Sequence, residues 1–444
     1  MSDNVVNPQS SSRDKNEHSQ VTPKKIFSLA VPALGVLAAT PLYLLYDTAV
    51  VGRLGSFELA ALSAGTTIQS TVTTQLTFLS YGTTARSSRL FGQGKIKEAV
   101  AEGVQATWVA VGVGLTLLAI MLFGAPRFAL WLTGNEGVAA EASSWMRVSA
   151  FAIPLTLMIM AGNGWMRGIQ NTRAPLIFTL CGMLPMIVLV PLLVNHFGFV
   201  GSAYANVIGM GIICVGFLGA LLRRHEGSWA PKGKVIWSQL IMGRDLIVRS
   251  LSFQIAFLSA AAVAARFGTA SLAAHQIMIQ VWNFITLVLD SLAIAAQTLT
   301  GAALGGGTVA LARAVGKKVV QYSLGFAAIL GALFALGNST LPRLFTPDES
   351  VLEAIHGPWW LMIAMIIMGG VVFALDGVLL GASDAAFLRT ISIGAVIFGF
   401  LPGVWISYLV DGGLVGVWCG LVAFIALRLG AVIWRFRSMR WARV

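Results

Sequence analysis

Twelve long apolar stretches follow one another along the chain, separated by short polar segments. Each has about 20 residues or more, enough for a helix to cross about 30 Å of hydrocarbon. They do not alternate apolar and polar residues as the strands of a membrane barrel do, so helices are favoured. The predicted spans are residues 27–51, 59–84, 100–123, 138–161, 176–196, 201–222, 246–267, 272–300, 316–337, 354–380, 388–409 and 413–434. We therefore predict an all-α integral membrane protein with twelve transmembrane helices.

The second half of the chain repeats the first at an offset of 213 residues. "GRLGSFELAAL" (52–62) is similar to "ARFGTASLAAH" (265–275), and "GWMRG" (164–168) aligns with "GVLLG" (377–381). Repeats of six spans share one orientation and normally enclose a central site. We predict two pseudo-symmetric six-helix lobes. The predicted segments are a disordered cytoplasmic tail (1–25), an N-terminal lobe (26–222), a cytoplasmic linker (223–245), a C-terminal lobe (246–434) and a basic cytoplasmic tail (435–444).

Composition excludes a water-soluble fold. Hydrophobic residues make up 57% of the chain and charged residues 11%, against about 25% charged in soluble domains. The net charge of +12 comes from residues at the ends of apolar segments, which indicates contact with membrane lipids rather than nucleic acid.

The basic residues also predict the orientation. All Lys and Arg residues but five fall on one side of the predicted topology; the exceptions are Arg53, Arg127, Arg266 and Arg343 on the other side and Arg147 within a span. Basic loops face the cytoplasm. We expect a multi-pass protein of the cytoplasmic (inner, plasma) membrane with both termini in the cytoplasm.

Signals for an enzyme, a cofactor or a metal site are missing. Cys181, Cys214 and Cys419 lie in apolar segments without CxxC spacing, so neither a disulfide framework nor a zinc site is indicated. The chain has no HExxH, GxSxG or P-loop motif. Without an ATP site, uphill transport would need an ion gradient.

Polar stripes mark the second and eighth spans. The stripe on the second span comprises Ser63, Thr67, Ser70, Thr74, Thr77, Tyr81 and Thr84. At the offset of 213 residues these positions align with Gln276, Gln280, Asn283, Leu287, Asp290, Ile294 and Gln297 on the eighth span. Spacings of three and four put each set on one helical face. Interhelical hydrogen bonding is one explanation, and the wall of a water-accessible cavity is the other. The predicted substrate-cavity residues are Tyr43, Thr67, Ser70, Asn163, Gln276, Gln280, Asn283 and Gln297.

Three aspartates lie well inside predicted spans: Asp47, Asp290 and Asp376. Charge within a bilayer is costly and usually functional, so all three are candidate ion- or proton-coupling residues. Asp47 shares a helical face with Tyr43 and Thr40, whose hydroxyls could hold it. Pro32 and Pro41 precede it and each removes a backbone donor, so they are candidate hinges. The alternative is an acid that is merely satisfied by hydroxyls.

Asp376 occupies the repeat position of Asn163, so each half places a polar side chain just before a Gly-containing turn. It is predicted near the cytoplasmic end of its span, where a solvated acid costs little. A structural role is therefore as plausible there as a functional one. Asp290 has a stronger functional case because it belongs to a polar stripe.

"YDTAVVGRLGSFELAAL" (46–62) and "GWMRGIQNTRAPL" (164–176) strongly resemble the MATE family, multidrug and toxic compound extrusion. Residues 243–307 resemble its DinF-type branch. The resemblance covers about residues 26–435. It implies two six-helix lobes and proton- or sodium-driven export of amphipathic, often cationic, compounds. By position in the motif, Asp47 matches the first-helix acid credited with ion coupling and helix bending, and Asp376 matches a tenth-helix acid used in some branches.

The chain departs from that pattern at two places. Its fifth span (179–194) lacks the Asn and Asp that many members carry, and the seventh lacks an embedded Glu, with Gln254 the nearest polar candidate. Both absences favour proton coupling through Asp47 over a sodium site with several carboxylates.

These observations predict a monomeric secondary active multidrug antiporter that works by alternating access. It would export small amphipathic, cationic compounds, driven by a proton gradient, with a sodium gradient as the less favoured alternative. One alternative is a lipid-linked oligosaccharide flippase of the same superfamily, which should show several basic residues at membrane depth. Another is an uncoupled channel or receptor, whose flux or signalling would ignore the gradient.

Overall fold

A computed structural model describes residues 22–442. Within them the chain is helical, with a 3₁₀ turn at Pro342–Leu344, a π-helical segment at Val396–Phe400 and no strand. The predicted disordered tail falls outside the described residues up to residue 21, as do the last two residues of the basic tail. The α-helices are α1 (Pro23–Val51), α2 (Ser56–Gln75), α3 (Phe78–Gly92), α4 (Ile96–Thr133), α5 (Glu136–Ser149), α6 (Ala152–Gly168), α7 (Arg173–Phe197), α8 (Val200–Arg224), α9 (Gly233–Arg266), α10 (Thr269–Gly305), α11 (Val309–Leu336), α12 (Glu349–Gly381), α13 (Ala385–Ala395), α14 (Leu401–Leu409) and α15 (Gly413–Arg437).

Ten helical segments in the described range are long and apolar enough to cross a membrane, and an eleventh is formed by the bent pair α5 and α6. The remaining predicted span corresponds to α2 and α3, which are separated at Leu76 and Thr77. The hydroxyl stripe explains why this span falls short, because its Ser and Thr residues lower the mean hydropathy.

A proline explains the break in the fourth span. Helices α5 and α6 meet at an angle of 45°, and Pro154 lies in the first turn of α6. Proline has no N–H to donate to the carbonyl of Ala150, and its ring crowds that carbonyl, so the helix bends just before it. The sequence predicted one unbroken span at 138–161, whereas the structure divides it into α5 and α6 at this bend.

The chain forms two compact units. The N-unit is Pro32–Leu251, and the C-unit combines the described parts of Met1–Val31 and Ser252–Val444. Helices α1 and α9 each contribute residues to both units. The division of the chain into lobes at 26–222 and 246–434 stays a prediction.

Segment 223–245, expected to be a linker, is irregular only between residues 225 and 232, because α9 begins at Gly233. It is attached to the N-unit. Gln105 donates to the carbonyl of Ala230 at 3.1 Å and accepts from the Lys232 amide at 2.7 Å. The Gln239 side chain donates to Glu102, which also pairs with Arg86.

Matching glycines pack in the same way in each unit. A Cβ added to Gly164 on α6 would lie 2.9 Å from the carbonyl oxygen of Ser80 on α3. A Cβ added to Gly377 on α12 would overlap the carbonyl oxygen of Ala293 on α10. Residues 80 and 293 differ by the same offset of 213 as residues 164 and 377. The internal repeat seen in the sequence is therefore also a repeat of helix packing, in which glycine permits close backbone approach.

Candidate functional site

Asp47 lies on α1, six residues after Pro41, and is buried with only 2% of its surface exposed. Its Oδ2 accepts a hydrogen bond from the Ser202 hydroxyl on α8 at 2.9 Å, and Ser202 Oγ accepts from the Trp145 indole N–H at 3.2 Å. The expectation that Tyr43 and Thr40 hold Asp47 is wrong. The Tyr43 hydroxyl is buried without a hydrogen-bond partner, and so is Asp47 Oδ1.

A cavity of about 120 Å³ adjoins Asp47 within the N-unit. A single water needs about 10–15 Å³ of such space and two or more polar partners, so several waters fit here. Helix α2 supplies much of the wall, including Ser70 from the predicted stripe. The lining residues are Thr40, Tyr43, Leu44, Asp47, Thr66, Gln69, Ser70, Thr73, Trp145, Thr156, Asn206 and Met210.

A second cavity of about 180 Å³ shares Thr40, Thr156 and Met210 with the first. It contains Asn163, as the sequence predicts, and two further members of the α2–α3 stripe, Thr77 and Tyr81. Asn163 Oδ1 is buried without a partner. The remaining lining residues are Val36, Leu37, Ser80, Ile159, Met160, Arg167, Thr179, Met183 and Ile213.

Arg167 is buried, and its place on the cytoplasmic side stays a prediction. The sequence places it among the basic residues of that side, and the side chain donates to Ser80 Oγ at 3.2 Å beside the second cavity. Its position on α6 four residues after Asn163 brings both side chains to the same face of that helix.

Asp376 has other surroundings. It was expected at a solvated helix end, but it is buried on α12 and forms an ion pair with Arg428 of α15, which is also buried. The Arg428 guanidinium lies 4.9 Å from the centroid of the Phe253 ring and 5.5 Å from that of Phe424. The prediction of a solvated acid is wrong because α15 carries a cation at the same depth.

The α10 stripe divides into two parts. Gln276, Gln280 and Asn283 are exposed at the surface of the C-unit, Asp290 is half-buried, and Gln297 is buried. Thr67 of α2 is likewise exposed and lines neither N-unit cavity. The cavity role of these residues stays a prediction.

The hinge role of Pro32 and Pro41 also stays a prediction. Helix α1 is continuous through both prolines. Pro32 is the first residue of the N-unit.

Sequence reasoning missed the partners of both aspartates. Ser202 is 155 residues from Asp47, and the chain has many other hydroxyls in apolar segments. Arg428 could have been found, because it lies inside the last predicted span (413–434), six residues before its end. Trp145 carried no signal beyond its aromatic character.

Comparison with known proteins agrees with this architecture. The MatE family profile matches residues 32–192 and again residues 246–405, so the family motif occurs once in each half of the chain.

Two relatives and one solved structure are informative. The chain is 30% identical to Protein DETOXIFICATION 44, chloroplastic, of Arabidopsis thaliana, over 93% of this chain and 81% of that protein. It is 27% identical to DNA damage-inducible protein F of Escherichia coli strain K12, over 82% of each. A crystal structure of a MATE protein in the bent conformation matches with a TM-score of 0.86 at 19% identity, covering 94% of this chain and 96% of that one.

The structural likeness confirms the predicted fold of twelve helices in two lobes. The sequence relatives confirm the DinF-like branch. The chain thus belongs to the MatE family, and it is a multi-pass membrane transporter of the multidrug and toxic compound class.

Proposed function

We propose that this transporter is a secondary active antiporter that exports small amphipathic compounds in exchange for protons taken up at Asp47. The observation that carries the proposal is Asp47 itself. It is buried, it receives one hydrogen bond at Oδ2, and Oδ1 is left without a partner beside a cavity large enough for water.

A structural acid in a membrane helix is expected to have its charge neutralised or its oxygens bonded. Of the two Asp47 carboxylate oxygens, Oδ2 is hydrogen-bonded and Oδ1 is not. Desolvation favours the uncharged form of a carboxylate, whereas the Ser202 hydrogen bond favours the charged form. Opposing effects of this kind allow the proton to be gained and lost.

The surroundings support a proton over a sodium ion. Among the residues that the structure describes, no group of three or more His, Cys, Asp or Glu side chains could hold a metal ion. Asp47 is the one carboxylate that lines either N-unit cavity. Sodium therefore remains the second candidate for the coupling ion.

The proposed cycle follows from these contacts. A proton that reaches Oδ1 through the first cavity neutralises Asp47, and α1, with Pro41 one and a half turns away, changes its packing. Substrate in the neighbouring second cavity meets Met160, Met183 and Met210, whose flexible apolar side chains suit varied compounds. We place the protein in the cytoplasmic membrane with both termini in the cytoplasm, on the distribution of its basic residues.

Transport in proteoliposomes tests this proposal. A cationic dye serves as the reporter, and proton and sodium gradients are imposed separately. Dye movement should follow the proton gradient, and Asp47→Asn should reduce it to the level of protein-free liposomes. Glu141→Gln is the matched control, because it removes a half-buried acid on α5 that lines neither cavity.

Unchanged transport by Asp47→Asn would refute the coupling role. Dye flux that ignores both gradients would favour the uncoupled channel. The flippase alternative predicts several bases facing the cavity, and Arg167 is the one base lining the two N-unit cavities.

A further inference from the structure

The hydrogen bonds around Ser202 have a fixed direction. An indole N–H can only donate, so Ser202 Oγ must accept from Trp145 at 3.2 Å. Because an ionised carboxylate can only accept, the single hydroxyl hydrogen of Ser202 is directed to Asp47 Oδ2 at 2.9 Å. Each bond in this chain runs from Trp145 toward the carboxylate.

The fold holds Trp145 in place. The indole is buried, and a Cβ added to Gly65 of α2 would lie 2.7 Å from its Cε3 atom, so α2 covers the ring closely. One turn later, Ser149 bonds the side chain of Gln69 on α2, just before the break at Pro154. The broken fourth span thus presents the indole N–H to α8.

We propose that Trp145 is a positioning residue: by donating to Ser202 Oγ it makes the Ser202 hydroxyl a stronger donor to Asp47 Oδ2, directs the proton to Asp47 Oδ1 and sets the pH at which Asp47 is half protonated. The inference rests on the proposed role of Asp47 as the coupling acid. With Oδ2 already accepting from Ser202, the incoming proton binds the other oxygen, which is buried without a partner.

Few other charges act on this group. Among the residues lining its cavity, contributed by α1, α2, α5, α6 and α8, Tyr43 is the one further titratable group. Glu141 and Arg147 flank Trp145 on α5, but neither lines the cavity and Arg147 is exposed. Asp47 receives its hydrogen bond from the Ser202 hydroxyl at the end of the donor chain.

Infrared titration of the full-length protein tests the inference without a transport substrate. The carboxyl band that disappears in Asp47→Asn is followed against pH. Trp145→Phe keeps an aromatic ring but removes the N–H, so the Ser202 hydroxyl becomes a weaker donor to the Asp47 carboxylate. The midpoint should rise by about 0.5–1 pH unit, a roughly three- to tenfold gain in proton affinity.

Ser202→Ala, which removes the donor itself, should raise the midpoint at least as much. In the Ser202→Ala background Trp145→Phe should add nothing, because the two residues act as one chain. Trp108→Phe is the matched control: its indole also donates one hydrogen bond, to the Trp229 carbonyl at 2.8 Å, away from Asp47. Its midpoint should equal that of the wild type.

The outcomes separate the two proposals. Three results would overturn the role of Trp145, even if Asp47→Asn abolishes both the band and transport. They are shifts of Trp145→Phe and Ser202→Ala that add up in the double variant, an unmoved midpoint in Trp145→Phe, and a midpoint that falls in Trp145→Phe. If Asp47→Asn removes no titrating band, Asp47 exchanges no proton, and the proposed coupling and this inference both fail. Should Trp145→Phe not fold, the Ser202→Ala midpoint still decides whether the donor chain acts on Asp47.

Discussion

Asp47 in the N-unit and Asp376 in the C-unit are both buried aspartates on long membrane helices, yet their surroundings differ. Asp376 is paired with the buried guanidinium of Arg428, which is covered by two phenylalanine rings. Asp47 receives a single hydroxyl hydrogen bond and adjoins a cavity. The difference teaches that burial alone does not identify a coupling acid, because one buried aspartate has a cation beside it and the other has a hydroxyl and a cavity.

The largest expected effect comes from breaking the ion pair of the C-unit. Arg428→Met leaves the Asp376 carboxylate buried without its cation, which should lower the free energy of unfolding by about 3–5 kcal/mol. Asp47→Asn should change it by no more than about 1 kcal/mol, because an amide can still accept from Ser202. Thermal unfolding of the purified proteins in one detergent measures both.

The double variant Asp376→Leu/Arg428→Met is the control for this prediction. Removing both charges should recover most of the stability that Arg428→Met loses. If Arg428→Met unfolds at the wild-type temperature, the contrast between the two aspartates does not hold.

A smaller effect tests whether the repeated glycines are equally constrained. Alanine at Gly377 would overlap the Ala293 carbonyl oxygen, which belongs to the backbone and cannot move aside. Overpacking of this kind costs about 1–3 kcal/mol. At Gly164 the nearest atom is a Thr83 side-chain carbon at 2.6 Å, with the Ser80 carbonyl at 2.9 Å, so the clash is milder. The gain of about 1 kcal/mol in helix propensity offsets part of either cost.

We therefore expect Gly377→Ala to lower the melting temperature of the protein more than Gly164→Ala does. Gly325→Ala and Gly211→Ala are the matched controls, one in each unit. Both glycines lie within helices, and an added Cβ there meets no atom within 4 Å. A Gly164→Ala variant that loses as much as Gly377→Ala would mean that the two helix pairs pack alike in detail.

The fold was predictable because its signals are local or periodic. Span length, basic flanks and the offset of 213 residues are read directly from the sequence, and the MatE profile matches both halves. The second span was predicted as one helix, but its break between α2 and α3 was not, although its many Ser and Thr residues are visible in the sequence.

The site was predictable only in part. Asp47 stands out as an acid in an apolar stretch, but its partner depends on how α8 packs against α1. Helical periodicity favours neighbours at i−4 and i−7, which is why Tyr43 and Thr40 were expected to hold it. Trp145 belongs to α5, the first part of the broken fourth span, and no local pattern predicts the target of an indole N–H.

The smallest expected effect sharpens the Asp47 side of the comparison. Tyr43 and Tyr46 are neighbours on α1 that differ in whether the hydroxyl has a hydrogen-bond partner. The Tyr43 hydroxyl is buried without a partner, whereas the Tyr46 hydroxyl donates to the Ile187 carbonyl on α7 at 2.6 Å. Tyr46→Phe should lose about 1 kcal/mol of unfolding free energy, and Tyr43→Phe should leave it unchanged or raise it by up to about 1 kcal/mol. Thermal melts of the two variants, measured side by side, give the sign of each change in stability. If Tyr43→Phe destabilises the protein as much as Tyr46→Phe does, then cavity water satisfies the Tyr43 hydroxyl. The polar atoms around Asp47 that lack a partner among the described residues would in that case be hydrogen-bonded to water.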